Sequence, residues 1–479
     1  MNVNKFLLVS LILFTVVLAP IGAQDFGFED FGFSETFTDT EENSALSFSG
    51  EFDFSSRFFI NTDNPETGFV ETPSSILARI ESSSPASEFT LALRLSPEIV
   101  ANKPIRIIDE ATLRTYWGDT VELTVGMTKV VWGKGDSLRL LDVVNPHDYS
   151  DPFNTDIEGR KIAQALIKVD WRTGMVSKLE AVYVPFFQGD YLPLEGIWAP
   201  KAFTDMRAEI WDGFYSGAYN TNHAILIAAG IADPAAATIA ASQSSAQADT
   251  LMDQLLLYPD TKSLEWGQGG LRYTDSFKGV DIGMQYYTGF LRTPAINADP
   301  AVLAATQHLV LSYNRYHQIG VDSAFALGPY NIRAEAAWHQ TYDPKGTDPL
   351  IRNPFASMVL GVDRAFGAVS LNLQALGTWI TNLDQVNNVY DIESTSHKLS
   401  GTVMGQLGYT MKNGKMEVTL AGAAAIPDLN WMLVPGFTIT PVDDVTLSLN
   451  GYFFGGDSNG QFGQYHARKF LEFKAAYAF

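Results

Sequence analysis

Apolar and polar residues alternate along much of the chain in segments of about ten residues, the pattern of strands with one apolar and one polar face. In the first clear segment the apolar positions are Leu46, Phe48, Phe52 and Phe54, and between them lie Ser47, Ser49, Glu51, Asp53 and Ser55. Successive side chains of a strand point to opposite faces, so this parity places the four apolar side chains on one side of a sheet. The pattern predicts an all-β fold.

The same alternation recurs in about 18 segments. The clearest further apolar series are Phe89, Leu91, Leu93 and Leu95; Val121, Leu123, Val125 and Met127; Val280, Ile282, Met284 and Tyr286; Val369, Leu371 and Leu373; Leu399, Val403 and Leu407; and Val445, Leu447 and Leu449. The weakest segment is Ser74–Glu81, and Leu309–Phe325 is long enough for one tall strand or two. Single-chain bacterial barrels have even strand numbers, so we expect a transmembrane antiparallel β-barrel of 16–18 strands, with 18 favoured.

Apolar and polar residues would also alternate in a soluble β-sandwich, but the sequences at the two ends of the chain favour a membrane barrel. The thirteen residues Phe6–Leu18 are nearly all apolar and follow Lys5, which predicts a secretory signal peptide at residues 1–23 with cleavage after Ala23. At the other end, Leu471, Phe473, Ala475, Tyr477 and Phe479 share one parity. An amphipathic last strand that ends in Phe resembles the signature recognised by the outer-membrane barrel assembly machinery, so Tyr477 and Phe479 are the expected assembly signal and the cell outer membrane the expected location.

Composition narrows the classes of protein further. The chain has no Cys, which excludes a lipoprotein anchor, a disulfide scaffold and thiolate metal sites. Its formal net charge of −22 makes nucleic acid an unsuitable partner. We expect outer-membrane lipid, the assembly machinery and a small solute as partners.

Two segments fall outside the alternation. Residues 24–43 are acidic and aromatic, contain no Lys or Arg, and are interpreted either as a periplasmic tail or as a plug against basic residues of the barrel, which itself spans residues 44–479. Residues 188–262 form a long loop insertion. Within it Asp233-Pro234 predicts a helix with Asp233 as N-cap, able to run through Ala-rich sequence to Leu257. The aromatic residues before it are expected to pack on the loop or barrel rim, or to stack on ligands.

Charged residues of both signs occupy the parity opposite to the apolar series, which predicts a polar, water-filled lumen. These positions are Arg94, Arg114, Lys168, Lys178, Arg272, Arg333, Arg364 and Lys398, with Glu51, Asp53, Glu110, Glu122, Asp170, Glu180, Asp281, Asp322, Glu335 and Glu417. We expect most of them to form salt bridges between strands. Arg94, Arg114, Arg333 and Glu335 are candidates for the lining of a constriction.

One segment interrupts the strand pattern with charged and turn-forming residues. It reads Trp132-Gly133-Lys134-Gly135-Asp136, then Arg139, and then Asn145-Pro146-His147-Asp148. These elements, with Tyr316-His317, Gly320-Val321-Asp322 and Arg333-Ala334-Glu335, resemble a large, poorly characterised family of proteobacterial outer-membrane β-barrels. That family is related in architecture to alginate-export-type and other substrate-specific porins. The resemblance implies a barrel with a transport function and names no substrate.

The residues themselves allow two interpretations of this segment. Glycines let a strand bend inward and Asn145-Pro146 turns the chain, so Lys134, Asp136, Arg139 and Asp148 are brought together. The segment, with Trp132, then forms either an inward loop that narrows the lumen and selects solutes, or a salt-bridged hinge that fixes the barrel shape.

No sequence motif indicates catalysis. The seven histidines show no metal-ligand spacing, and the sequence lacks a nucleophile elbow, a P-loop and a dinucleotide fingerprint, so we expect neither an enzyme nor a bound cofactor. Two functions stay open: an outer-membrane porin for passive, substrate-selective diffusion of small solutes, or a surface adhesin or structural barrel with a plugged lumen and a ligand-binding loop.

Overall fold

The strands of this chain pair in sequence order and close on themselves. The computed structural model describes residues 46–60, 68, 70–154 and 156–479. The barrel strands are β1 Leu46–Phe59, β2 Ser75–Ser84, β3 Ser87–Leu95, β4 Ile108–Trp117, β5 Val121–Thr128, β6 Gln164–Arg172, β7 Lys178–Val184, β8 Gln268–Phe277, β9 Val280–Phe290, β10 Arg315–Leu327, β11 Tyr330–Thr341, β12 Phe355–Phe366, β13 Val369–Ile380, β14 Leu399–Met411, β15 Met416–Ile426, β16 Asn430–Val442, β17 Val445–Gly455 and β18 Phe470–Ala478.

Every neighbouring pair of barrel strands is antiparallel, and β1 pairs with β18 from Glu51–Ala478 to Phe59–Phe470. The sheet also includes the two-residue strand Val70–Glu71, which pairs with Arg57 and Phe58 of β1 beyond the end of the β1–β2 ladder. The barrel therefore has 18 strands, as the alternation predicts. Closure leaves no sheet edge with unpaired backbone groups.

The connections differ at the two ends of the barrel. One end has tight turns at residues 85–86, 118–120, 173–177, 278–279, 328–329, 367–368, 412–415 and 443–444. The other end carries the long connections, including 96–107, 129–163, 185–267, 291–314, 342–354, 381–398 and 456–469. Outer-membrane barrels have short periplasmic turns and longer extracellular loops.

The helices lie in the long connections. They are α1 Pro97–Asn102, α2 Ile157–Arg160, α3 Lys201–Ala228, α4 Asp233–Asp253 and α5 Pro300–Thr306. None of the helices in the described part of the chain has the length and apolar character needed to cross a bilayer.

The long insertion contains an antiparallel helical hairpin that the sequence predicted only in part. Helix α4 begins at Asp233, but its N-cap is Ala232 rather than Asp233, and it ends at Asp253 rather than Leu257. The preceding helix α3, of 28 residues, was not predicted; at 1.5 Å per residue it is about 42 Å long. Small residues of α4 (Ala236, Ala240, Ser244 and Ala248) are buried at every fourth position, the spacing of one helix face.

Two further expectations are resolved by the strand pairing. The weak segment forms β2, and the ambiguous segment Leu309–Phe325 is divided between the short strand Leu309–Ser312, outside the barrel, and β10. The short strand pairs with Ala295–Asn297 and Leu256–Leu257 above the rim. Residues 1–23 and 24–43, predicted as signal peptide and tail, lie outside the described residues.

The outer surface of the barrel is apolar. Outward positions such as Met358, Leu360, Leu373 and Trp379 are 53%, 44%, 46% and 46% exposed. Arg364 is an exception to the predicted inward parity: it shares the outward face of β12 with Met358 and Leu360. Its guanidinium lies 4.5 Å from the ring centre of Tyr330 and 4.0 Å from that of Phe366. The guanidinium therefore belongs to a cation–π cluster near the tight-turn end and does not line the lumen.

Candidate functional site

The connection between β5 and β6, residues 129–163, folds into the barrel and is fastened to the inner wall by Glu335 of β11. One carboxylate oxygen of Glu335 accepts the backbone N–H groups of Lys134 and Gly135, both at 2.6 Å. The other accepts those of Leu140 and Leu141, at 2.8 and 3.1 Å. Glu335 is 1% exposed, and hydrogen bonds to an ionised acceptor are about twice as strong as neutral ones. We name residues 129–163 the inward loop.

Two glycines make this close approach feasible. A Cβ on Gly133 would lie 2.2 Å from Oε1 of Glu335, and the φ of +96° at Gly133 disfavours any other residue. A Cβ on Gly135 would lie 2.2 Å from the carbonyl oxygen of Leu138. The glycines thus let the loop backbone reach the carboxylate, in addition to the bending that the sequence suggested.

The tip of the inward loop makes further contacts with β11–β13. Asp136 forms a salt bridge with Arg333, which also binds Asp363 at 2.7 Å. The backbone N–H of Leu138 donates to Oε1 of Gln374 on β13 at 3.0 Å. The first attachment of the loop therefore extends as far as β13.

The base of the inward loop is held by buried polar groups. The side chain of Asn145, 1% exposed, accepts from the N–H of Val130 at 2.7 Å and donates to the carbonyls of Thr128 and Ile162, both at 2.9 Å. It joins the outgoing and returning arms of the loop. Trp132, also 1% exposed, packs edge-on against Tyr287 of β9.

A second attachment fastens the returning arm to the opposite side of the barrel. Nη2 of Arg57 donates to Asp151 at 2.7 Å, and its Nε donates to Glu472 of β18 at 2.8 Å. Phe153 packs against Phe454 of β17 with ring centres 4.5 Å apart. Arg57 and Glu472 were not among the predicted site residues, although both occupy inward positions of strands that the alternation predicts.

Asp148 lies at the rim rather than in the lumen. It is 6% exposed and binds Nζ of Lys103 at 2.9 Å as well as the guanidinium of Arg106. Burial acts to raise the pKa of Asp148, but Arg106, Ser150 and Lys103 outweigh it and hold that pKa below its ordinary value. The cluster joins the loop to the connection between β3 and β4.

Within the loop, Asp142 and Lys161 form a salt bridge of 2.6 Å, and their side chains are 1% and 0% exposed. Burial raises the pKa of Asp142, against the lowering effect of Lys161. Arg139 binds both Asp142, at 3.5 Å, and Glu158. Removal of one partner of a buried pair is strongly destabilising, so this network keeps the two arms in register.

The charged inner wall is extensively paired. Arg94 binds Asp109 at 3.1 Å, and Arg114 binds Glu88 at 3.0 Å and Glu122 at 2.9 Å. Salt bridges with carboxylates also hold further basic residues of the inner wall, namely Arg57, Arg79, Lys168, Lys178, Arg272, Arg333 and Lys474. These salt bridges agree with the role that the sequence assigned to most lumen charges.

The inward loop covers one part of the inner wall and leaves another part open. Inward residues of β8–β12 are buried, for example Arg272 at 4%, Gln318 at 0% and Ser357 at 7% exposure. Inward residues of β14–β16, such as Gln406 and Thr419, retain contact with solvent. We name the opening between the attachments at Leu138 and Phe153 the window; its outer wall is formed by β13–β17.

The width of this wall follows from strand geometry. From β13 to β17 there are four inter-strand spacings of about 4.8 Å, which gives an arc of roughly 19 Å. Among the described residues, no group of His, Asp or Glu side chains is arranged to hold a metal ion.

Comparisons with known proteins add similarities of overall fold. No protein-family profile matches the chain, and no curated protein matches it in sequence. Among solved structures, OpdQ of Pseudomonas aeruginosa is 8% identical with a TM-score of 0.46, over 91% of this chain and 97% of that one. A BenF-like porin of Pseudomonas fluorescens is 8% identical (TM-score 0.46; 91% and 98% covered), and OmpF of Salmonella typhi, solved with daunomycin, is 6% identical (0.42; 91% and 98%). Similarity at this level carries no information on function.

Proposed function

We propose that this protein is an outer-membrane porin that lets small solutes diffuse through the window between the inward loop and β13–β17. The observation that carries the proposal is the uneven burial of the inner wall, covered at β8–β12 and solvent-exposed at β14–β16. A plug would bury both parts. Barrels of 16–18 strands are wide enough for an aqueous channel.

The membrane location is supported by the outer surface. The apolar side chains that alternate with the inward polar ones are about half exposed around the barrel, including Phe89, Ile167, Ile319 and Leu420. Such a belt is stable in hydrocarbon, where a closed barrel satisfies all its strand hydrogen bonds. We propose export by the signal at residues 1–23 with cleavage after Ala23, outer-membrane lipid as the surrounding solvent, and recognition of Tyr477 and Phe479 by the barrel assembly machinery.

Among the residues proposed to shape the constriction, Lys134, Asp136 and Arg139 keep side-chain exposures of 22%, 39% and 18%. They lie on the tip of the inward loop, where their charges act on passing ions. Trp132, Asn145, Asp148 and Glu335 are buried and hold the loop in place. In this proposal the residues at the loop tip narrow the lumen, and the buried residues act as the hinge that fixes the loop.

The experiment is a planar-bilayer recording of the purified barrel. Wild type is expected to give discrete conductance steps. The double substitution Lys134→Glu with Arg139→Glu is expected to shift ion selectivity towards cations, more strongly at low salt, where the Debye length is longer. The matched control is Lys412→Glu with Lys415→Glu, the same charge change in a tight turn where Lys415 is 57% exposed.

The outcomes separate the alternatives. A folded double variant with wild-type selectivity would show that the loop tip is not the constriction and that the segment acts only as a hinge. If the wild type inserts but never conducts, the porin proposal fails and a plugged adhesin or structural barrel becomes the better account.

A further inference from the structure

The wall of the window is apolar beside the point where the tip of the inward loop is bonded to β13. Met404 of β14 is the strand partner of Gln374, to which the loop tip is hydrogen-bonded. Ala423 lies between Met404 and Met432 as the strand partner of both. Ala421 and Val434 are paired one step further along the same strands. We name these five residues the apolar wall.

This arrangement is unusual for a porin lumen, where inward positions are polar. Met404, Ala421, Met432 and Val434 are partly exposed to solvent, although they lie on the inward face of the barrel. Met432 and Val434 also contact the aromatic cluster around Phe454, so the apolar surface continues to the second loop attachment. The side chains of such a surface offer water no hydrogen bonds. An apolar group of a solute that contacts this surface is partly removed from water, which is favourable.

The charges of the inward loop that reach solvent are mainly negative. Side chains of Glu158 and Asp136 are 51% and 39% exposed, and Asp156 is exposed as well. The loop cations are more covered: Lys134 is 22% exposed, Arg139 is 18% exposed and Lys161 is 0% exposed.

Strand β1 adds further accessible negative charge to the lumen. Its inward residues Glu51 and Asp53 form no salt bridge among the described residues, and both are partly exposed. In contrast, carboxylates pair with the inward arginines Arg57, Arg79, Arg94, Arg114, Arg272 and Arg333. Asp136 and Glu158 are paired with Arg333 and Arg139, so the accessible carboxylates of the inward loop and β1 that form no salt bridge among the described residues are Glu51, Asp53 and Asp156. These three favour a positively charged solute over an anion.

We propose that the window selects small organic cations that have an apolar body, with the body against the apolar wall and the charged group towards the loop carboxylates. This inference rests on the proposed porin function and names its substrate class. Methionine side chains suit such a role because they are flexible and make favourable contacts with aromatic rings of different shapes.

The test measures block of the potassium current through single barrels by three probes. Benzyltrimethylammonium carries both features, tetramethylammonium has the charge without the apolar body, and benzoate has the ring with the opposite charge. Wild type is expected to be blocked most strongly by benzyltrimethylammonium. Stronger block by benzoate would overturn the proposed charge preference, and equal block by the two cations would overturn the role of the apolar wall.

Two variants locate the contact. Met404→Thr with Met432→Thr should weaken the block by benzyltrimethylammonium roughly 3- to 150-fold, since each of the two sulfur–aromatic contacts contributes about 0.3–1.5 kcal/mol. Block by tetramethylammonium should change little. The matched control is Met358→Thr, a methionine on the outward face of β12, which should leave all three probes unaffected. If the double variant binds benzyltrimethylammonium as the wild type does, the apolar wall is not the site.

Calorimetric titration of the folded barrel in detergent with benzyltrimethylammonium distinguishes a failure of the proposed substrate class from a failure of the proposed porin function. Conductance steps with no probe binding would refute only the substrate class. Absence of conductance steps would refute the porin function itself.

Because the chain contains no Cys, single cysteines at Thr402 and Ser357 can also be probed with a thiol reagent. Thr402→Cys on the open wall should be modified rapidly, and Ser357→Cys beneath the loop, where Ser357 is 7% exposed, should be protected.

Discussion

Replacement of Glu335 by Gln is expected to release the tip of the inward loop without disturbing the barrel. The carboxylate accepts four backbone N–H groups at 2.6–3.1 Å in a site where Glu335 is 1% exposed. A Gln side chain has one acceptor oxygen, and its amide group would point N–H donors at the second pair of N–H groups.

The magnitude follows from the number of hydrogen bonds lost. Two charge-assisted hydrogen bonds contribute about 1.5–3 kcal/mol each, so docking of the tip should weaken by roughly 3–6 kcal/mol. The contacts of Asp136 with Arg333 and of Leu138 with Gln374 remain and limit the movement. The tip should therefore fluctuate, and the narrowest part of the window should vary in width.

The assay is single-channel recording, with heat-modifiable migration as a check on folding. Glu335→Gln should raise the mean conductance and the open-channel noise. Glu417→Gln is the matched control: it removes the same charge from β15, an inward position on the open wall. If Glu335→Gln folds and conducts with the same step size and low noise as the control, the carboxylate does not hold the loop and the reasoning fails.

Three further predictions concern the loop arms, the rim and assembly. Asn145→Ala removes three buried hydrogen bonds and should make the inward loop sensitive to protease, with a loss of roughly 2–4 kcal/mol in loop stability; unchanged cleavage rates would contradict the role of Asn145. Burial, with Lys161 and Arg160, lowers the pKa of His147 from 6.5 to about 3, so its contribution to stability is complete above pH 6.5 and is lost as pH falls towards 3. Burial raises the pKa of Asp190 from 3.8 to about 6, with the opposite pH dependence. In the His147→Asn variant, amide hydrogen exchange at the barrel rim should therefore increase less on acidification than it does in the wild type. An equal increase would argue against a buried neutral His147. Phe479→Ser should reduce the fraction of heat-modifiable barrel recovered in the outer membrane, and full recovery would show that Phe479 is not part of the assembly signal.

Alternation by itself determined the wall of this protein. Because side chains of a strand alternate strictly between two faces, Leu371 and Leu373 could be assigned outward and Glu335 inward without knowledge of their neighbours. The same alternation predicted the strand number. Arg364 follows the alternation too, since it lies outward with Met358 and Leu360. The assignment of Arg364 to the lumen was wrong because its long side chain places the charge against aromatic rings near the strand end.

The tertiary structure decided what the inner face does, because this depends on contacts between residues far apart in sequence. Glu335 looked like one more lumen charge, and only the folded chain shows its carboxylate bound to backbone groups about 200 positions earlier. Likewise, Met404 and Met432 are ordinary inward positions in sequence, and become the wall of the window because the inward loop covers β8–β12 and not β14–β16. The local pattern of a strand records which face a side chain occupies, but it carries no information about which part of that face another segment covers.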